Sequence, residues 1–139
     1  PVPVEELPSI AGARVLLAED NAINRQVANE ILQSSGVSVE PTGDGLEAVE
    51  KLWEGGYDAV LMEIQLQDMD GLKATRILRE YARFDNLPII AMTAHAMNGD
   101  REKSLSVGMQ DYIAKPIEPS VLLSTLARWI HRDGRSPRR

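Results

Sequence analysis

The sequence predicts a doubly wound α/β domain, a five-stranded parallel sheet in a three-layer sandwich. Three observations predict it. Short, continuously apolar runs recur along the chain, as suits strands buried on both faces. Segments with helical spacing alternate with them, giving five strand-helix units in about 120 residues, the pattern of right-handed βαβ crossovers. Polar residues follow four of the apolar runs directly.

Arg14-Val15-Leu16-Leu17-Ala18 is the first run. Asn24 to Ser34 follows as a helix with Val27, Ala28, Ile31 and Leu32 on one stripe. Val37 to Glu40 is a second strand. Thr42-Gly43-Asp44-Gly45 is a turn in which Asp44 can cap a helix carrying Leu46, Val49 and Leu52, and Gly55-Gly56 stops that helix. Asp58 to Met62 is the third strand and Gly71 to Tyr81 the third helix, with Leu72, Ile77 and Leu78 inward. Pro88 to Met92 is the fourth strand. The fourth helix runs from about Met97 to Val107 and stops at Gly108. Tyr112-Ile113-Ala114 is the fifth strand. Pro119 suits the first turn of a last helix that buries Leu122, Leu123, Leu126 and Ile130.

The chain of 139 residues is expected to form one folded domain over residues 13–131, with a Pro-rich linker or tail at 1–12 and a basic tail or linker at 132–139. The net charge of -6 is unevenly spread: residues 128–139 hold five arginines and one aspartate, and the body before them is strongly acidic. An acidic body argues against direct nucleic-acid binding. There is no cysteine, which excludes disulfides and thiolate metal sites and fits a reducing compartment. No secretion signal and no long apolar run is present, so a cytoplasmic domain without membrane contact is expected, whether or not its parent protein is anchored.

In doubly wound sheets, ligands sit outside the carboxyl ends of the strands. The residues there are Glu19 and Asp20 after strand one, Glu63 after strand three, Thr93 after strand four, and Lys115, followed by Pro116, after strand five. A single strand-end carboxylate is ordinarily only solvated, and a single Lys-Pro is ordinarily a turn. Convergence on one edge is what points to chemistry. Three carboxylates at short range repel, and a hard divalent cation resolves that cost. Mg²⁺ (or Mn²⁺ in its place) suits an all-oxygen set, to which the backbone carbonyl of Gln65 could add a ligand. Lys115 and Thr93 suit phosphoryl oxygens, as a point charge and a hydroxyl donor. A carboxylate nucleophile needs no general base. A small nucleotide-binding enzyme fits worse, because Glu19-Asp20-Asn21 stands where a glycine-rich phosphate cradle would be. His95 reads as a structural or surface residue, and His131, at the domain's end, is less informative still.

Four segments carry a resemblance: Leu16 to Asn24, Asp58 to Gly71, Pro88 to Ala96, and Asp111 to Pro116. Together they resemble the receiver domain of two-component response regulators, most closely one attached to a hybrid sensor histidine kinase. The resemblance covers residues 13–131. It implies the flavodoxin-like strand order 2-1-3-4-5. It also implies magnesium held by Glu19, Asp20 and the Gln65 backbone, a phosphoacceptor at position 63, Thr93 and Tyr112 as switch residues, and a cis bond between Lys115 and Pro116. The implied partner is a histidine kinase or histidine phosphotransfer domain docking on helix one and the loops around the acidic site, where Ile23 offers apolar contact. A weak homodimer through helix four, strand five and helix five stays open. The domain reads as a phosphoacceptor module rather than a stand-alone enzyme.

Two positions depart from the pattern. Gln67 replaces a usual proline. Glu63 replaces the acceptor aspartate, and one extra methylene moves a carboxylate by roughly 1.3 to 1.5 Å. Misplacement on the order of 1 Å can cost about a hundredfold in rate. Glu63 could partly mimic the phosphorylated state, or pair with Lys115 and lock an inactive form. A phosphorylation-independent pseudo-receiver, acting as a protein-binding module, is the alternative function.

Overall fold

The computed structural model describes residues 9–94 and 99–130. The expected linker up to residue 8, His95, the expected start of the fourth helix at Met97, and the basic end with His131 lie outside the described residues. The elements are β1 (Arg14–Ala18), α1 (Ala22–Ser34), β2 (Ser38–Thr42), α2 (Gly45–Glu54), β3 (Ala59–Glu63), α3 (Gly71–Leu78), β4 (Ile89–Thr93), α4 (Asp100–Ser106), β5 (Asp111–Ala114) and α5 (Pro119–Ile130), with a 3-10 turn at Ala82–Phe84.

The five strands form one sheet in the order β2-β1-β3-β4-β5, and every pairing is parallel. All ten residues of β3 and β4 are buried, as the continuously apolar runs predict for central strands covered on both faces. Side chains alternate between two cores. Val15, Leu17, Leu61, Ile90 and Met92 pack with Ala28 and Leu32 of α1 and with Leu122, Leu126 and Ile130 of α5. Leu16, Val60, Met62, Ile89 and Ala91 pack with Ala48 and Leu52 of α2 and with Ala74 and Leu78 of α3. Each such leucine or isoleucine, taken from water, contributes roughly 1.5 to 3 kcal/mol. Ile10, ahead of β1, is also buried in the first core.

Helix starts follow the sequence closely. Asn21 accepts from the Asn24 amide, Asp44 from those of Leu46 and Glu47, and Asp70 from that of Lys73, so three of the helices begin with a side-chain cap. Gly55, at φ 89°, ends α2 in a conformation that other residues rarely adopt.

Three expectations change. Val27 is 41% exposed, because the α1 face turned to the sheet is set by Ala28 and Leu32, and the small Ala28 allows the close approach. β2 runs on to Thr42 through Pro41, which is tolerated because β2 is an edge strand whose outer side needs no ladder donor. α3 ends at Leu78 rather than at Tyr81. There Arg79 turns its guanidinium into the next loops, donating to the carbonyls of Phe84, Leu87 (2.9 Å) and Gly108 (2.9 Å) and to Gln110 Oε1 (2.8 Å). The guanidinium fork is shaped to serve several carbonyls at once, and it supplements the bonds that Phe84 O accepts from Leu87 N and Leu87 O from Gln110 Nε2.

Two glycines fix the loop after β3. A Cβ on Gly71 would lie 2.2 Å from the Glu63 carbonyl oxygen, and one on Gly45 would lie 1.7 Å from that of Met69. The start of α3 therefore presses directly on the backbone of Glu63, and the start of α2 on the loop beyond it.

Candidate functional site

The parallel register brings the ends of β1, β3, β4 and β5 to one edge. Ala18 is opposite Met62, Glu63 opposite Met92, and Thr93 opposite Ala114. Glu19 and Asp20 follow β1, Glu63 and Thr93 end β3 and β4, and Lys115 follows β5. Glu19, Glu63 and Thr93 are buried, whereas Asp20 is exposed.

Glu19, Asp20 and Glu63 each bring a carboxylate oxygen within 4.8 Å of the others. Lys115 Nζ lies 2.6 Å from Glu19 Oε1 and 2.6 Å from Glu63 Oε1, so one ammonium serves two buried carboxylates. The second oxygen of each carboxylate accepts a backbone amide: Asn21 N donates to Glu19 Oε2 and Ile64 N to Glu63 Oε2, both at 3.0 Å. Glu63 is thus curled back onto the amide of its own neighbour. Its other oxygen is held by Lys115.

Burial pushes the Glu63 carboxyl above the usual carboxylate range. Lys115 pulls it back, Glu19 adds to the rise, and the net is upward. Burial alone would lower the Lys115 ammonium, but its bonds to Glu19 and Glu63 outweigh that and hold it above its ordinary value. Burial leads the first shift and the two carboxylates carry the second; two buried carboxylates and the exposed Asp20 beside one ammonium leave the pocket short of positive charge. Ligands of a single Mg²⁺ lie up to roughly 4.2 Å apart, from metal-oxygen distances of about 2.1 Å. The three-carboxylate set fits a hard cation in donor type, in charge and, with small side-chain adjustments, in span.

Thr93 is tied to both neighbours of the site. Its carbonyl accepts from Lys115 N at 2.9 Å, and its hydroxyl donates to Asp100 Oδ2 of α4 at 2.8 Å. The peptide between Lys115 and Pro116 is cis. Tyr112 is half-buried on β5, with the Arg101 guanidinium 5.3 Å from its ring centre. Gln65 is exposed in the loop after β3. Ile23 is 73% exposed in the first turn of α1, with Val27 beside it one turn on.

Two residues that the sequence does not single out join the site. Arg25 donates from Nη1 to the Glu19 carbonyl at 2.7 Å, fixing the acidic loop to α1. Its signal was its place in the first turn of the helix that follows the two acids. Asp100, seven residues beyond Thr93, carries no such signal, because its contact depends on how α4 leans on β4.

Residues 15–127 match the family described as the response regulator receiver domain. The signal transduction histidine-protein kinase BarA of Escherichia coli is 39% identical over 124 residues, covering 89% of this chain and 14% of that kinase. The chain thus spans about a seventh of the length of that curated relative. The receiver domain of the sensor histidine kinase PA1611 of Pseudomonas aeruginosa, solved with a magnesium ion coordinated in its active site cleft, is 44% identical with a TM-score of 0.81, over 86% of this chain and 98% of that one. A kinase that carries its own receiver is a hybrid kinase. The Saccharomyces cerevisiae receiver domain of Ssk1, solved with the histidine phosphotransfer protein Ypd1, gives 27% identity and a TM-score of 0.80, over 88% of this chain and 91% of the other. Among the described residues no helix is long and apolar enough to cross a membrane. The chain belongs to the response regulator receiver domain family.

Proposed function

We propose that this chain is a phosphorelay receiver module, of the kind attached to hybrid histidine kinases, whose acceptor position is occupied by Glu63 and whose capacity for phosphoryl uptake is thereby impaired. The observation that carries this reading is the convergence of Glu19, Asp20, Glu63 and Lys115 on one edge of the sheet, with two buried carboxylates 2.6 Å from one ammonium. In the uptake reaction a carboxylate oxygen at position 63 takes the phosphoryl group from a phosphohistidine nitrogen, and the imidazole leaves. Glu19, Asp20 and position 63, with the Gln65 carbonyl, would hold Mg²⁺, which when bound supplies charge neutralisation at the transferring oxygens. Lys115 pairs with one phosphoryl oxygen, and Thr93 gives its hydroxyl proton to another. Tyr112 serves with Thr93 as the switch. Ile23 and Val27 form an apolar contact for a histidine phosphotransfer domain or kinase beside the acidic edge.

The extra methylene of Glu63 works against that chemistry. Its two oxygens are engaged by Lys115 and by Ile64 N. The Thr93 hydroxyl donates to Asp100, and Glu63 accepts from Lys115, a geometry that supports impairment over mimicry of a phosphoryl group. The same closed pairing favours the second reading, a pseudo-receiver that binds its partner without phosphate.

Intact mass after incubation with acetyl phosphate and Mg²⁺, beside Glu63→Asp, tests the proposal. Uptake is expected in the aspartate variant alone. Uptake in both would show glutamate to be a working acceptor. No uptake in either folded protein, with acetyl phosphate and with a phosphorylated phosphotransfer domain, would leave the pseudo-receiver.

A further inference from the structure

Two neighbouring residues in the first turn of α4 hold the far side of the site. Thr93 is 2% exposed and donates its hydroxyl to Asp100 Oδ2 at 2.8 Å. Arg101, the next residue, places its guanidinium over the Tyr112 ring. A hydroxyl has one proton. While Asp100 holds it, Thr93 cannot offer it to a phosphoryl oxygen, and a hydrogen bond to a charged acceptor is among the stronger ones.

We propose that Asp100 is a positioning residue that withholds the Thr93 hydroxyl, so that the first turn of α4 is a catch which phosphoryl binding must release. This rests on Thr93 serving as a phosphoryl donor. Binding of a phosphoryl group then pays twice: the bond to Asp100 is broken, and the Asp100 carboxylate is left beside new negative charge. When Thr93 turns away, α4 loses this polar tie to β4, and Arg101 shifts relative to Tyr112. The catch thus links the occupancy of the site to the packing of α4 on β5, the surface that α4 and Tyr112 share.

The test measures beryllofluoride affinity with Mg²⁺ in Glu63→Asp, alone and combined with Asp100→Ala, Asp100→Asn or Glu102→Ala. Glu102 is a second acid of the same helical turn without a bond to Thr93, so it controls for loss of charge at the helix start. Asp100→Ala is expected to tighten binding about tenfold, the worth of a charge-assisted hydrogen bond. Asp100→Asn, which keeps an acceptor oxygen but no charge, should fall between, and Glu102→Ala should stay within about twofold of its parent. Equal or weaker binding in a folded Asp100→Ala protein would overturn the proposal. A second measurement does not need the acceptor. In the Glu63 chain, Asp100→Ala should displace the NMR signals of the Thr93 methyl and the Tyr112 ring, and Glu102→Ala should leave both in place. Unmoved signals in Asp100→Ala would overturn the catch even if the receiver reading stands. If Glu63→Asp binds no beryllofluoride, the receiver reading fails, and these signals alone decide on Asp100.

Discussion

The two ends of the sheet treat charge in opposite ways. At the amino ends of the strands, charged groups are matched with backbone and with rings. Arg14 donates to the Gly55 carbonyl at 3.3 Å, its guanidinium lies 4.2 Å from the centre of the Tyr57 ring, and its own amide donates to Asp58 Oδ2 at 2.9 Å. At the carboxyl ends, like charges are gathered: Glu19, Asp20 and Glu63 stand together around the single ammonium of Lys115. The first arrangement closes the fold, and each group is nearly satisfied as it stands. The second is stable only while Lys115 is present, and it remains short of positive charge. Charge assembled for structure finds its partners within the chain, whereas charge assembled for chemistry is left wanting one from outside.

The largest test of this contrast is Lys115→Met. Removing one partner of a buried ionic group leaves two carboxylates uncompensated, and a loss of about 3 kcal/mol in urea unfolding is expected. Adding MgCl₂ should restore part of the loss, because a cation that binds only the folded state stabilises it. Unchanged stability of the variant without metal would break the comparison.

At the other end, Arg14→Ala should cost about 1 to 2 kcal/mol, the sum of a partly buried cation–π contact and a hydrogen bond. Here MgCl₂ should restore nothing. Equal magnesium rescue in the two variants would show that the ends do not differ as described.

The smallest effect concerns a pair near the acidic edge. Asp44 and Asp68 share a hydrogen bond that lowers the Asp44 carboxyl and raises that of Asp68. The raised Asp68 group favours the fold when protonated, so its contribution is present at low pH and is lost as pH rises through its folded value. The lowered Asp44 group works in the opposite sense, being lost as pH falls. Asp68→Asn keeps a side chain that tolerates its φ of 63° and removes the repulsion. A small rise in melting temperature at pH 7, shrinking toward pH 3 and in high salt, is expected in calorimetry.

What the sequence made legible follows from where burial is complete. β1, β3 and β4 are apolar apart from one terminal residue each (Arg14, Glu63 and Thr93) because both faces are covered, so their ends, and the polar residues there, could be located from the chain alone. Capping residues Asp44 and Asp70 act locally and were equally readable or lie at an evident helix start. The edge strand β2 was read to end two residues early because a half-exposed strand mixes polar and apolar residues and leaves its end without a clear mark. Asp100 and the Arg79 knot were hidden for another reason. The Arg79 knot reaches Gly108 and Gln110, about thirty residues on, while Asp100 is near Thr93 in sequence but meets it through a side chain whose direction depends on how α4 packs.

The pressure of Gly71 on the Glu63 carbonyl has a consequence for how this position can change. With the main chain braced from behind, an overlong side chain cannot be accommodated by retreat of the strand end; it can only fold up on itself, as Glu63 does against Ile64. Nothing else in the surroundings needs to have adapted to the longer residue. A single replacement at position 63 should therefore change the competence of the module without any compensating change elsewhere, like a key cut one notch too long in a lock that was never altered.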